Sequence, residues 1–313
     1  MAKEHLISIC ICTYRRPAVT EAIASLGRLI VPDNCTLEIV VADNDVEASA
    51  KERVERAGAE ISIPVKYVHA PQQNISIARN TCLDHARGAW VAFIDDDETA
   101  SSAWIESLFY AAHERQLDIA FGPVWARYPE GTDEWLLEAD FHSTRCSEGE
   151  VLVTGYSGNS FFNTQHPAIK DRRFNLLRGR TGGEDTEFFH ECYRDGARLG
   201  YVADAEASEP VPEDRLNLAW LKKTRYRSGV TFGKVVKYRG SPIKNLVAAM
   251  TSMAKATVLL GASALPFRAA SATRTDFIRA LFHLGTANAY FAAKEKELYG
   301  TEKIPAKVIE ASS

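Results

Sequence analysis

The chain has 313 residues, 46% apolar and 25% charged, with a formal net charge of −4 and an isoelectric point near 6.1. These proportions suit two domains, or one large α/β domain with an appendage, and are long enough for a sizeable core. They exclude a disordered chain, a collagen-like repeat and a polytopic membrane protein, and they argue against a dedicated nucleic-acid binder. The apolar run Leu6–Cys12 predicts a buried strand, and Pro17 suits the first turn of a helix over Ala18–Leu29. Strand and helix signals then alternate: strands at Leu37–Ala42, Val65–His69 and Trp90–Ile94, and helices over 47–57, 75–87 and 101–115. Four strand–helix units with short connections imply an α/β fold, a mostly parallel sheet with helices on both faces. Further strands are expected over 118–126 and 159–164. The Gly-rich turn Arg180–Gly183 then leads into a helix from Glu184, with Gly196 as its C-terminal cap.

Six cysteines without a C-x-x-C pair read as reduced core thiols. No apolar leader follows Met1, which places the chain in the cytoplasm as an expectation.

In open α/β sheets ligands bind beyond the carboxyl ends of the strands. Three polar clusters leave the predicted strands at that edge: Thr13-Tyr-Arg-Arg16, Asp43-Asn-Asp45 and Asp95-Asp-Asp97. Neither G-x-G-x-x-G nor a P-loop is present, so dinucleotide or ATP binding by those routes is not expected. Consecutive aspartates repel one another unless a counter-ion intervenes. Mg²⁺ or Mn²⁺ bridging carboxylate and diphosphate oxygens would supply it. In an extended stretch Asp95 and Asp97 would share a side and Asp96 would point away. The competing reading is a solvated acidic turn with Asp97 and Glu98 assisting the next helix.

Four segments in order carry a resemblance: Ser8–Pro17, Ile39–Asp45, Asn74-Ile-Ser-Ile-Ala-Arg-Asn80 and Phe93–Glu98. Over roughly residues 5–232 the chain resembles family 2 glycosyltransferases of GT-A fold, and among them the glucosyltransferases of succinoglycan-type exopolysaccharide assembly. The resemblance implies that Thr13 and Arg15 line a nucleotide pocket, that Asp43 hydrogen-bonds the uracil, and that Asp45 and Arg79 border it. It further implies that Asp95 approaches the ribose or metal, that Asp97 ligates the metal, and that Glu184-Asp185 matches the family's E-D pair with Asp185 as base. Asp43 at a strand end has few bland explanations, whereas Arg79 could simply pair with an acid on a helix face. The Trp220–Gly229 stretch stands where many members carry Gln-x-x-Arg-Trp. It departs from that motif, and leaves Arg225 or Arg227 open between a diphosphate contact and a solvated basic helix.

From Arg215 through Thr275 there is no Asp or Glu but twelve Lys or Arg, so that segment carries +12 and the remainder −16. A polyanionic surface or ligand is the expected partner. Within it, the Ala-rich run Leu246–Leu265 contains Lys255 and reads as an interfacial, a buried or, least well, a spanning helix. Phe277, Leu281 and Leu284 could extend its apolar face.

The expectation is a catalytic domain over 1–232 with a basic, helical, membrane-associating region over 233–313. Its activity would be inverting, metal-dependent transfer of a sugar from a UDP-sugar to a saccharide. The expected acceptor is a polyprenyl-diphosphate-linked exopolysaccharide intermediate at the inner face of the cytoplasmic membrane, with peripheral contact to anionic lipid. The rival readings are a sugar nucleotidyltransferase, whose usual Gly-rich basic loop after strand one is missing, and a non-catalytic nucleotide-sugar-binding protein.

Overall fold

The computed structural model describes residues 5–146 and 149–291. The first four residues and the end of the basic extension lie outside the described residues. Two compact units emerge among the described residues: one holds 5–125, 144–146 and 149–209, the other 126–143 and 210–291.

The first unit is built in the expected alternation. In chain order it runs β1 (His5–Thr13), α1 (Val19–Leu26), β2 (Cys35–Asp43), α2 (Lys51–Ala59), β3 (Val65–His69), α3 (Ile75–His85) and β4 (Trp90–Ile94). The short β5 (Thr99–Ala100), α4 (Trp104–Glu114) and β6 (Ile119–Phe121) follow. The strand anticipated over 118–126 is in fact two, β6 and β7 (Val124–Arg127), parted at Gly122-Pro123, where proline offers no N–H to a ladder.

One sheet carries the unit, in the order β3-β2-β1-β4-β8-β6-β9, with β8 at Asn159–Asn163 and β9 at Leu199–Tyr201. Strands β3, β2, β1 and β4 are parallel, and β8 runs antiparallel to both β4 and β6. The alternation of β1 divides the core. Ile7, Ile9 and Ile11 pack with Ile23, Val54, Trp104 and Leu108 on one face. Cys10 and Cys12 pack with Ala78, Cys82, Phe188 and Phe189 on the other. Each fully buried aliphatic or aromatic side chain contributes roughly 1.5–3 kcal/mol, so both helical layers are firmly held. All six cysteines are free, and four are buried, as their apolar surroundings predict.

The parallel register also assembles the rim. Thr13 lies opposite Asp43, and Asp43 opposite His69, so three strand ends deliver polar side chains to one edge. The anticipated 184 helix is α6 (Glu184–Arg194), followed by Gly196 at φ +99°.

In the second unit the described α-helices are α5 (Glu134–Ala139), α7 (Leu218–Phe232), α8 (Pro242–Ser263) and α9 (Ala270–Tyr290). The boundary expected after residue 232 does not coincide with a break. Helix α7 continues straight into a π-helical turn, Gly233–Lys237, and packs on α9, so the compact unit begins at about residue 210 instead. Leu136, Leu221 and Ile278 form its small core, with Phe277 and Leu281 packed against it. Those two side chains are therefore committed inward and do not extend an outer apolar face. Arg225 donates to the Phe141 carbonyl at 2.7 Å with its guanidinium over that ring, and burial lowers its pKa. It braces this unit, while Arg227 is exposed.

Candidate active site

The rim is richest where β1, β2 and β4 end. Asp43, fully buried, accepts from the Asp45 N–H at 3.0 Å, the Ala50 N–H at 2.9 Å and the Tyr67 hydroxyl at 2.9 Å. Three internal donors thus reach this carboxylate, one at Oδ1 and two at Oδ2, and through them Asp43 shapes the 43–50 loop. Asp45 accepts from Arg15 Nε at 2.9 Å and from the Val46 N–H, which together hold its carboxyl below the usual range against burial. Arg15 has φ +56°, an uncommon left-handed conformation for a bulky residue, and its guanidinium lies over the exposed Tyr14 ring. Gln73, also at positive φ, reaches the Tyr14 hydroxyl at 3.3 Å. Tyr14, Arg15, Asp45 and Gln73 therefore flank one polar, aromatic mouth.

Beyond β4 the chain does not stay extended. The Glu98 N–H bonds back to the Asp95 carbonyl at 3.1 Å, and the Glu98 carboxylate accepts the Asp95 N–H at 3.1 Å. The triplet sits on a turn, so strand alternation fails there and Asp96 does not point away. Instead it accepts from Thr13 Oγ1 at 2.7 Å and from Arg16 at 3.1 Å, and Arg16 also pairs with Asp97. Burial raises Asp96 to about 6 despite Arg16 and Thr13. It also raises Asp95 and Glu98, Asp95 against the pull of Arg79. Asp95 is left with a carboxylate that hydrogen-bonds to no described residue. The backbone at Gly158 comes so near that a Cβ there would meet Asp95 Oδ2 at 3.2 Å and Glu98 Oε1 at 2.5 Å.

The N-terminal half of α3 organises the opposite wall. Asn74 caps α3 by accepting from the Ser76 and Ile77 N–H groups, and donates to the Leu176 carbonyl. Ser76 donates to the Asn175 carbonyl, and Asn80 exchanges two bonds with the Phe174 backbone. These three polar residues clasp the 174–179 loop that leads to α6. Arg79, buried, forms an ion pair with Glu184 and lies over the Phe174 ring. Burial opposes its charge, but Glu184, Asp185 and Asp95 keep it protonated. The same burial pushes the Glu184 carboxyl up.

Gly182 and Gly183 both take positive φ, which a side chain would resist, and turn the chain into the first turn of α6. Asp185 there is half-buried, and its Oδ1 accepts from the Thr186 N–H at 2.6 Å and hydroxyl at 3.3 Å. That leaves Oδ2 available. Two buried atoms of this loop have no partner: Arg180 Nε and Glu184 Oε2.

The structure thus brings Asp95, Arg79, Glu184 and Asp185 into one electrostatic group, with Asp97 beside it. Thr13 and Asp43 turn inward, Thr13 onto Asp96. Sequence reasoning passed over Arg16, although it adjoins Arg15 in the first cluster. It also passed over Asn74, Ser76 and Asn80, which stood in a quoted segment, and Asn74 at a helix start was a readable cap. Glu98 was seen only as an aid to the next helix.

The donor set suits a divalent ion. Among the described residues no three His, Cys, Asp or Glu side chains gather into a closed cage. Asp95 has an unpartnered carboxylate, and Asp97 has one oxygen beyond its Arg16 contact. Mg²⁺ and Mn²⁺ are commonly held by one or two carboxylates, with phosphate oxygens and water completing the shell. Among the described residues Arg16 and Arg79 offset part of the acid excess on this turn, which leaves room for such a charge.

Comparison with known proteins places the chain. Residues 8–184 match the family described as Glycosyl transferase family 2. The succinoglycan biosynthesis protein ExoM of Rhizobium meliloti is 38% identical over 300 residues, covering 95% of this chain and 97% of that protein. A mannosyltransferase from Pyrobaculum calidifontis, solved with GDP-Man and Mn²⁺, superposes with TM-score 0.64 at 16% identity over 93% of this chain and 88% of its own. S. aureus TarS 1–349 with UDP-GlcNAc superposes with TM-score 0.53 at 15% identity over 90% of each chain. The latter two show the fold, the GT-A architecture. The chain belongs to glycosyl transferase family 2.

Proposed function

We propose that this glycosyltransferase moves a sugar, glucose in the first instance, from a UDP-sugar to a growing exopolysaccharide repeat unit carried on a polyprenyl diphosphate. The observation that carries the reading is the convergence of Asp95, Arg79 and Asp185 at the carboxyl rim, an acidic turn facing a second carboxylate across one buried guanidinium. Likeness to ExoM over nearly the whole chain supports exopolysaccharide assembly as the setting. The fold neighbours seen with GDP-Man and UDP-GlcNAc support a nucleotide-sugar donor.

In this reading Tyr14, Arg15, Asp45 and Gln73 border the nucleoside, with Asp43 behind them keeping the loop in shape. Asp95 and Asp97 would hold Mg²⁺ or Mn²⁺, which when bound offsets the charge of the departing diphosphate. Arg79 holds Glu184 and so fixes the start of α6. Asp185 Oδ2 takes the proton of the acceptor hydroxyl as that oxygen displaces the nucleotide in line, inverting the anomeric carbon. The orphaned Arg180 Nε and Glu184 Oε2 are polar sites that a phosphate or hydroxyl ligand could satisfy. Catalysis takes place at the inner face of the cytoplasmic membrane.

Asp185→Asn tests the assignment. Transfer is expected to fall by about 10²–10⁴ while UDP binding persists. Full transfer by this variant refutes Asp185 as base. A thermal-shift series of nucleotide sugars with and without Mn²⁺ identifies the donor, because a ligand specific to the native state raises its stability by mass action. Release of pyrophosphate from a nucleoside triphosphate would favour a nucleotidyltransferase instead.

A further inference from the structure

Helix α8 has 22 residues and a mean hydropathy of 1.4 over its most apolar stretch, yet only 17% of that stretch is buried. At 3.6 residues per turn, Ile243, Leu246, Val247, Met250, Met253 and Val258 fall within an arc of about 140°. All six are exposed, with Ile243 at 77% and Val258 at 71%. The turn after the helix adds Leu265, and Phe267 at 99%. The opposite arc carries the buried Ala249, Ser252 and Ala256, and α8 packs along α9. Lys244 and Lys255, three turns apart, both lie on one flank of the apolar arc, and both are exposed.

We infer that this face is a membrane-docking surface: α8 lies in the plane of an anionic phospholipid bilayer, its apolar arc in the acyl boundary and Lys244 and Lys255 at the headgroups. The inference rests on the lipid-linked acceptor reading and gives it a place on the molecule. Three observations select lipid as the occupant. The segment Arg215–Thr275 carries twelve basic residues and no acid, so it complements an anionic surface. A second copy would bring a like charge of the same size against it, which association between copies must overcome. Exposed apolar side chains flanked by lysines are the pattern of an interfacial helix, whose long lysine stems run along the boundary while the ammonium stays wet. The inner arc decides orientation. It is committed to α9, and Lys255 stands inside the apolar stretch, so crossing would strip the one and bury the other.

The test is co-sedimentation of the full chain with phosphatidylcholine vesicles and with vesicles of phosphatidylcholine mixed with phosphatidylglycerol. Wild type should prefer the mixed vesicles and be released by high salt or alkaline carbonate. Met250→Glu with Val258→Glu, both exposed, should lower vesicle affinity at least tenfold with an unchanged melting temperature. Lys244→Gln and Lys255→Gln should each weaken binding to mixed vesicles about fivefold, the equivalent of the ~1 kcal/mol by which anionic lipid attracts a basic side chain. Binding that is absent, indifferent to both sets, or resistant to carbonate overturns the in-plane docking. So does a concentration-dependent dimer that Met250→Glu dissociates, which would assign the face to a second copy. UDP binding measured without vesicles keeps the two readings apart. Its survival when vesicle binding fails removes the docking surface alone, and its loss when vesicle binding holds removes the donor assignment alone.

Discussion

Two parallel strands lead to an aspartate at the same rim, and the chain uses them in opposite ways. At the end of β2, Asp43 is enclosed and its carboxylate takes three donors from its own surroundings. At the end of β4, Asp95 accepts nothing from a described side chain, while Asp97 has Arg16 alone. The rim position is shared, but the supply of internal donors is not. A saturated carboxylate holds structure together, whereas an unsaturated one among like charges is held in place by the fold and waits for something else. Strand-end acids are therefore sorted by what already hydrogen-bonds to them.

That contrast breaks most sharply at Asp95. Asp95→Asn removes a charge that burial, Asp97 and Asp185 disfavour against the pull of Arg79 and Arg16, so thermal stability should hold or rise while sugar transfer falls by a hundredfold or more. A melting curve and a transfer assay on one preparation read both. If stability collapses instead, Asp95 is structural like Asp43 and the contrast is gone. Asp43→Ala should do the reverse. It strands the Asp45 and Ala50 N–H groups and the Tyr67 hydroxyl, at about 1–3 kcal/mol for each donor left buried and unpaired. Denaturant unfolding should shift by several kcal/mol, where Asp95→Asn shifts it little or upward.

Arg16 sharpens the same comparison, since among the described residues it alone pairs with both Asp96 and Asp97. Arg16→Met removes a competitor that is itself 44% exposed, so the gain is modest. Affinity for Mn²⁺ alone, by titration calorimetry, should rise about fivefold, the counterpart of ~1 kcal/mol for an exposed pair. Unchanged or weaker Mn²⁺ binding would show that Arg16 and the ion do not share a position.

Much of the fold could be read beforehand because its signals are local. Trp90–Ile94 is a short apolar run and Val65–His69 a short segment rich in Val and Tyr, and both strands match residue for residue. The β5, β9 and β10 (Ala207–Pro210) strands are two to four residues long, too short for any periodicity to show, and exist because a neighbouring strand pairs with them. Helix α5 was missed for a similar reason: six residues make less than two turns. At the site, residue types and rim positions were legible, but partner choice was not. Whether Asp43 meets a ligand or Tyr67 depends on contacts 24 residues apart. Whether Asp95, Asp96 and Asp97 alternate depends on a turn that only Glu98 and the backbone close. The sequence leaves Arg79 open between a helix-face partner and a pocket residue; its pairing with Glu184 joins residues 105 apart, which no spacing rule reaches.

The far end of β2 offers the mildest test of the saturation argument. Glu38 is buried and accepts from the Ser8 hydroxyl at 2.6 Å, the Arg87 N–H at 2.7 Å and Arg87 Nε at 2.7 Å, tying the turn before β4 to β1 and β2. Burial pushes its carboxyl up, but these bonds prevail and the net shift is downward from 4.5. A carboxylate lowered on folding contributes stability above its unfolded pKa and loses it as pH falls through the folded value. Glu38→Gln keeps the shape but forfeits the charge-assisted bonds. At neutral pH it should cost about 1 kcal/mol, and as pH falls below 4.5 its unfolding free energy should converge on that of wild type. The gap between the two stability–pH curves is the measurement. A gap that stays constant down to the acid limit would mean that the ionised form of Glu38 contributes nothing, and that an acid ringed by internal donors can be as idle as the rim acids are active.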